Sequence, residues 1–93
     1  MFYFYVLQSI QDPEWFYKGS TIDLDQRVYQ HNNGEVDSTR PYKPLRLVYY
    51  EAFVSEQAAR LRESAIKHNG NMWIPLRRRI VDSLEQKIKI SGA

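Results

Sequence analysis

The chain has 93 residues, 43% hydrophobic, 14% aromatic and 26% charged, and its 13 Lys and Arg against 11 Asp and Glu leave a formal charge of +2. That balance describes one small globular domain spanning 1–93 and excludes a disordered chain or a second core. The absence of cysteine excludes disulfides and thiolate zinc sites, and two histidines are too few to build a zinc site alone. No apolar run approaches the ~20 residues of a membrane span, and no basic segment with a cleavage site opens the chain, so a cytoplasmic protein without a membrane partner is expected.

Residues 2–9, FYFYVLQS, place apolar groups on both alternating faces, which predicts a central strand covered on each side. Asp12-Pro13 signals a turn, and residues 14–19 form a second aromatic strand ending at Gly19, so the pair reads as an antiparallel hairpin. Ser20 or Thr21, followed by Asp23, reads as the N-cap of a first helix. Leu24, Val28 and His31 recur there at helical spacing, and Asn33-Gly34 closes the helix. Arg27 stands one turn before His31 at the edge of that stripe. Two potential cations so placed repel unless an anion lies between them. Tyr5, Tyr17, Arg27 and His31 are thus polar groups on one compact stretch and can converge.

Residues 34–44 hold turn-forming and basic residues without periodicity and read as a loop long enough to carry function. Residues 45–53 form a third strand, with Leu45, Leu47 and Tyr49 on one face and Val48 and Tyr50 on the other. Ser55 caps a second helix with a stripe of Ala58, Leu61 and Ala65, flanked by Ala59 and Ile66 and stopped by Asn69-Gly70. Glu63 shares a side with Ala59, Ile66 and Lys67. A C-terminal helix over about 75–89, with Pro75 in its first turn, repeats Leu76, Ile80, Leu84 and Ile88. The order β-β-α-β-α-α predicts an α/β fold of the α+β kind: a small three-stranded antiparallel sheet flanked by helices, with its core in 2–70.

In this order the residues resemble the GIY-YIG endonuclease superfamily, in particular its small stand-alone members related to the nuclease domain of the excision-repair protein UvrC. Tyr3-Phe4-Tyr5 takes the place of Gly-Ile-Tyr in the first strand, and Tyr17-Lys18-Gly19 that of Tyr-Ile-Gly in the second. Arg27 and His31-Asn32 match the helix that follows. Thr39-Arg40, Pro44, Leu47-Val48-Tyr49 and Glu51 match the loop and third strand, and Arg62-Glu63 with Ile66-Lys67 matches an Arg-Glu-x-x-Ile-Lys segment. The departures are Tyr3-Phe4 for Gly-Ile and Lys18 for the central Ile of the second motif.

The resemblance implies endonuclease-type hydrolysis of nucleic-acid phosphodiester bonds, with DNA as partner, Mg²⁺ or Mn²⁺ as cofactor, low sequence specificity, and a place in DNA repair or recombination. It implies a catalytic set of Tyr5, Tyr17, Arg27, His31 and Glu63, with Glu63 holding the metal. The candidates for the base are then Tyr17 and His31; Tyr17 is preferred, with His31 orienting it or relaying its proton and Tyr5 as a supporting or water-positioning partner. Lys18, Ser20, Arg40 and Lys67 are the implied substrate contacts, and the Arg77–Arg79 run and the 34–46 loop are where further contacts are expected. Two other readings stand beside this one: a nucleic-acid-binding module of the same fold that does not cleave, and an interaction domain that dimerises through Leu76, Ile80 and Leu84. The oligomeric expectation is a monomer or weak dimer.

Overall fold

The computed structural model describes the backbone of residues 1–92 and the side chains of 1–85. Its elements are β1 (Phe2–Ser9), β2 (Phe16–Thr21), α1 (Leu24–Asn32), β3 (Leu45–Phe53), α2 (Glu56–His68) and α3 (Gly70–Gly92), in the predicted order. One short 3-10 turn, Arg40–Tyr42, lies within the predicted 34–44 loop. The sheet order is β2-β1-β3 with both pairings antiparallel. β1 is central because its apolar groups point both ways, and Phe4, Tyr5, Val6 and Leu7 are all buried. Phe4 and Val6 join Ile66, Leu76 and Ile80 in a core under α2 and α3. Tyr5 and Leu7 join Leu45 in a second core, with Leu24 and Val28 of α1 packed on it.

Several local expectations are corrected. In β3, Val6 pairs with Tyr49 but Leu7 pairs with Leu47, so Val48 is an extra, bulged residue. The bulge reverses the alternation: Leu45 and Leu47 face the α1 core, whereas Tyr49 and Phe53 face the α2/α3 core. The cap of α1 is Asp23, whose carboxylate accepts from the Gln26 amide at 3.0 Å. Ser20 and Thr21 belong to β2 instead, because that strand pairs with β1 two residues past Gly19. On α2, Ser55 caps as predicted, but the buried positions are Ala59 and Ile66, and Leu61 is 63% exposed.

Asn69-Gly70 does more than stop α2. The Asn69 carbonyl accepts from Met72 and Trp73 and its side chain from Asn71, so α3 starts at Gly70 and Pro75 lies inside it rather than in its first turn. Leu76 and Ile80 are buried in the core of this chain and Leu84 packs against it, which leaves that stripe unavailable as a dimer face. Ile88, predicted for the same stripe, lies outside the described side chains.

Candidate active site

Tyr5 projects from β1 toward α1, across the neighbouring strand. Its register partner in β2 is Gly19, where a Cβ would fall 2.5 Å from the Tyr5 hydroxyl. The glycine is needed for this close approach of the phenol. The far end of α1 is fixed by Asn32, whose side chain donates to the Leu45 carbonyl at 2.9 Å and accepts from the Leu45 amide at 2.6 Å. That two-pronged clamp holds the preceding residue, His31, fully buried against Tyr5.

His31 Nε2 lies 2.9 Å from the Tyr5 hydroxyl and Nδ1 lies 2.8 Å from Thr39 Oγ1. Thr39 in turn donates its hydroxyl to the Val36 carbonyl at 3.3 Å. With that proton directed away, Thr39 accepts from Nδ1–H, and Nε2 accepts from Tyr5, which makes His31 a neutral imidazole. Burial, and secondarily the Arg27 charge, pull the His31 pKa down to about 4. Burial likewise pushes the Tyr5 pKa up to about 12, although its bond from Arg27 opposes the rise.

Arg27 Nε donates to the Tyr5 hydroxyl at 3.4 Å and Nη1 donates to Gln30 at 3.1 Å. The Tyr5 bond and, less strongly, Tyr17 hold the guanidinium still more firmly charged against its desolvation. The group separating the two potential cations of α1 is therefore a phenol oxygen. The Tyr17 ring is half-buried, 4.9 Å from the His31 ring and 6.3 Å from that of Tyr5. His31 bonds Tyr5 rather than Tyr17, which revises the predicted relay.

On the opposite face of β2, Ser20 donates to Glu63 Oε1 at 2.6 Å, and Lys67 donates to Glu63 Oε2 at 2.6 Å. The Lys67 ammonium also sits 5.6 Å from the centre of the Tyr17 ring. Because β2 is an outer strand, the Tyr5–His31–Arg27 group and the Ser20–Glu63 pair lie on either side of an open edge, with Lys67 reaching toward both Glu63 and Tyr17. Lys18 points to the α3 side, 4.2 Å over the Trp73 ring. Arg40 is not drawn into this cluster: it is exposed and donates to the Gly34 carbonyl and to Asp37 of its own loop.

The donors at Glu63 are oxygens, a carboxylate and a hydroxyl, and among the described residues no group of three or more His, Cys, Asp or Glu gathers anywhere. One carboxylate, with water completing the shell, would suit Mg²⁺ or Mn²⁺ and would not suit zinc.

Composition and periodicity gave no signal for two supports of the site. Thr39 lies in a loop without periodicity, and only its place beside Arg40 in the family pattern pointed to it. Glu51 likewise had only its place in the family pattern, and the bulge turns it toward α2. There it takes a two-pronged bond from Arg62 at 2.9 and 3.0 Å and another from the Tyr49 hydroxyl at 2.6 Å, fixing the residue just before Glu63. Burial opposes ionisation of Glu51, but the Arg62 and Tyr49 bonds outweigh it and lower the pKa.

The family profile of the GIY-YIG catalytic domain matches residues 1–73. The UPF0213 protein of Haloquadratum walsbyi is 39% identical over 66 residues, covering 70% of this chain and 72% of that protein. That of Clostridium perfringens is 40% identical over 68 residues, covering 72% and 71%. Among solved structures, the chain aligns with the solution NMR structure of the UPF0213 protein BH0048 from Bacillus halodurans at 31% identity and a TM-score of 0.48, over 90% of this chain and 85% of that one.

Proposed function

Because this chain belongs to the GIY-YIG catalytic-domain family, we propose that it hydrolyses phosphodiester bonds of nucleic acid, DNA first among them, with Mg²⁺ or Mn²⁺ held at Glu63. The observation that carries this reading is the juxtaposition at the β2 edge. A buried chain from Thr39 through His31 and Tyr5 reaches Arg27 on one side, and a carboxylate with its own hydroxyl donor stands on the other.

Each side chain has a task that its surroundings suit. Arg27 binds a non-bridging phosphate oxygen through its planar fork, and the Tyr5 hydroxyl orients that fork. Tyr5 stays a neutral phenol, since burial disfavours its anion and His31 takes its hydrogen bond. Tyr17, half-buried and flanked by Arg27 and Lys67, takes a proton from the attacking water in this reading, because the buried His31 has both ring nitrogens engaged. Glu63, oriented by the Ser20 hydroxyl, would hold the ion, which when bound would supply charge stabilisation at the leaving oxygen. Lys67 then gives up its bond to Glu63 and is free to meet a phosphate oxygen.

A domain of this size has limited room for the roughly 1,000–2,500 Å² that sequence-specific DNA interfaces bury, so selectivity rests on nucleic-acid structure rather than base sequence. The test is incubation with labelled single-stranded, duplex and branched DNA in Mg²⁺, Mn²⁺ or EDTA. Metal-dependent products that disappear in Glu63→Gln and in Tyr17→Phe are the expected result. Retarded mobility without products under any metal would replace the enzyme with the binding module.

A further inference from the structure

Lys18 replaces the apolar residue at the centre of the second motif, and its surroundings do not neutralise it. The ammonium lies over Trp73, Trp73 packs edge-on to Phe16 with ring centres 5.6 Å apart, and the Arg77 guanidinium lies 5.5 Å from the Phe16 ring. Cation, aromatic, aromatic and cation thus form one row between β2 and α3. Among the described residues neither Lys18 nor Arg77 has a carboxylate within ion-pair distance. Lys67 stands close enough to Lys18 to disfavour its charge, after desolvation. The Glu63 carboxylate beside Lys67 is already bonded to Lys67 and Ser20.

Like charges held together beside a row of backbone with no acidic partner form a site that an anion would complete. The three arginines of the 77–79 run do not share it. Arg77 turns to Phe16, Arg78 is exposed beside Pro75 and Asp82, and the Arg79 charge reaches Tyr49 and Glu51 of β3. Resting on the function proposed above, we infer that Lys18 and Arg77, joined by Lys67 when it leaves Glu63, grip successive phosphates of the substrate strand as it runs along the open edge of β2 away from the scissile bond. Lys18 lies between Phe16 and Ser20 on the face of β2 that leads to Glu63, so the row ends at the proposed metal ligand.

The test is binding of a labelled single-stranded oligonucleotide in EDTA, where Lys67 stays on Glu63, measured by anisotropy across a salt series. Each phosphate contact contributes about 0.7 to the slope of log affinity against log salt for single strands. Lys18→Met and Arg77→Met are each expected to reduce the slope by about that much, Lys18→Arg to retain the wild-type slope, and Arg78→Met to leave it unchanged. Equal slopes for all four variants, or a loss in Arg78→Met as large as in the other two, would overturn the inference. If Lys18→Met fails to fold by circular dichroism, Arg77→Met and Lys18→Arg decide the matter by the same criteria. Altered slopes without cleavage in any metal would leave this track standing and remove the nuclease reading. Cleavage with unaltered slopes would do the reverse.

Discussion

Acidification from pH 7 to pH 4 titrates a histidine that the fold holds neutral. His31 is fully buried, with both ring nitrogens in hydrogen bonds and Arg27 nearby, and its pKa lies at about 4 against an ordinary value near 6.5. Between those values the unfolded chain carries a proton at this position and the folded chain does not. Stability from this group is therefore complete above about pH 6.5 and declines as pH falls toward 4, where the folded form also protonates. At about 1.36 kcal/mol per pKa unit, the difference amounts to roughly 3 kcal/mol. That is a large share of the roughly 5–15 kcal/mol that holds a small domain together. Urea unfolding followed by circular dichroism, at pH 7, 6, 5 and 4, measures it directly when wild type and His31→Gln are run together. Subtraction removes the acid loss common to both proteins, including that of Glu51, whose lowered pKa also makes it stabilising only while ionised. The advantage of wild type over the variant should shrink by roughly 3 kcal/mol across the range, mostly between pH 6.5 and 4. Parallel curves would refute the neutral, desolvated histidine and with it the direction of the Tyr5 hydrogen bond.

Gly19→Ala puts a methyl group where the Tyr5 phenol lies, so it should destabilise the fold by about 1–3 kcal/mol and abolish cleavage while leaving the far-UV spectrum intact. Unchanged turnover would mean that Tyr5 can be displaced without consequence. Asn32→Ala removes both bonds that tie α1 to the start of β3; unfolding titrations should show a loss of about 1–3 kcal/mol, and hydrogen exchange at the Leu45 amide should accelerate. Unchanged exchange there would show that the clamp contributes nothing.

The element order and most of β3 were legible because β1 has an unusual two-faced apolar pattern and the helices have marked stripes. Less legible was anything that depends on a partner distant in the chain. The bulge at Val48 follows from how β3 registers against β1, and the sequence of β3 alternates plausibly without it. Ser20 looked like a cap because a serine before a helix ordinarily is one; what removed it was pairing with Phe4 and a carboxylate from α2. The catalytic set could be proposed because its members follow one another in a spaced order, but the wiring between them could not. Nothing local distinguishes a His31 that bonds Tyr5 from one that bonds Tyr17. Thr39 was equally silent, since a hydroxyl under a histidine leaves no periodic trace.

The open edge of β2 also bears on how the protein behaves in company. An outer strand presents unpaired amides and carbonyls to any other chain, and Phe16 and Tyr17 would make this one adhesive. Charge on such a strand opposes edge-to-edge pairing, and Lys18 stands in the middle of it, with Lys67 alongside. The isoleucine that the family motif places at this position would lengthen the sticky run instead. The lysine therefore guards the same edge along which the proposed substrate track runs.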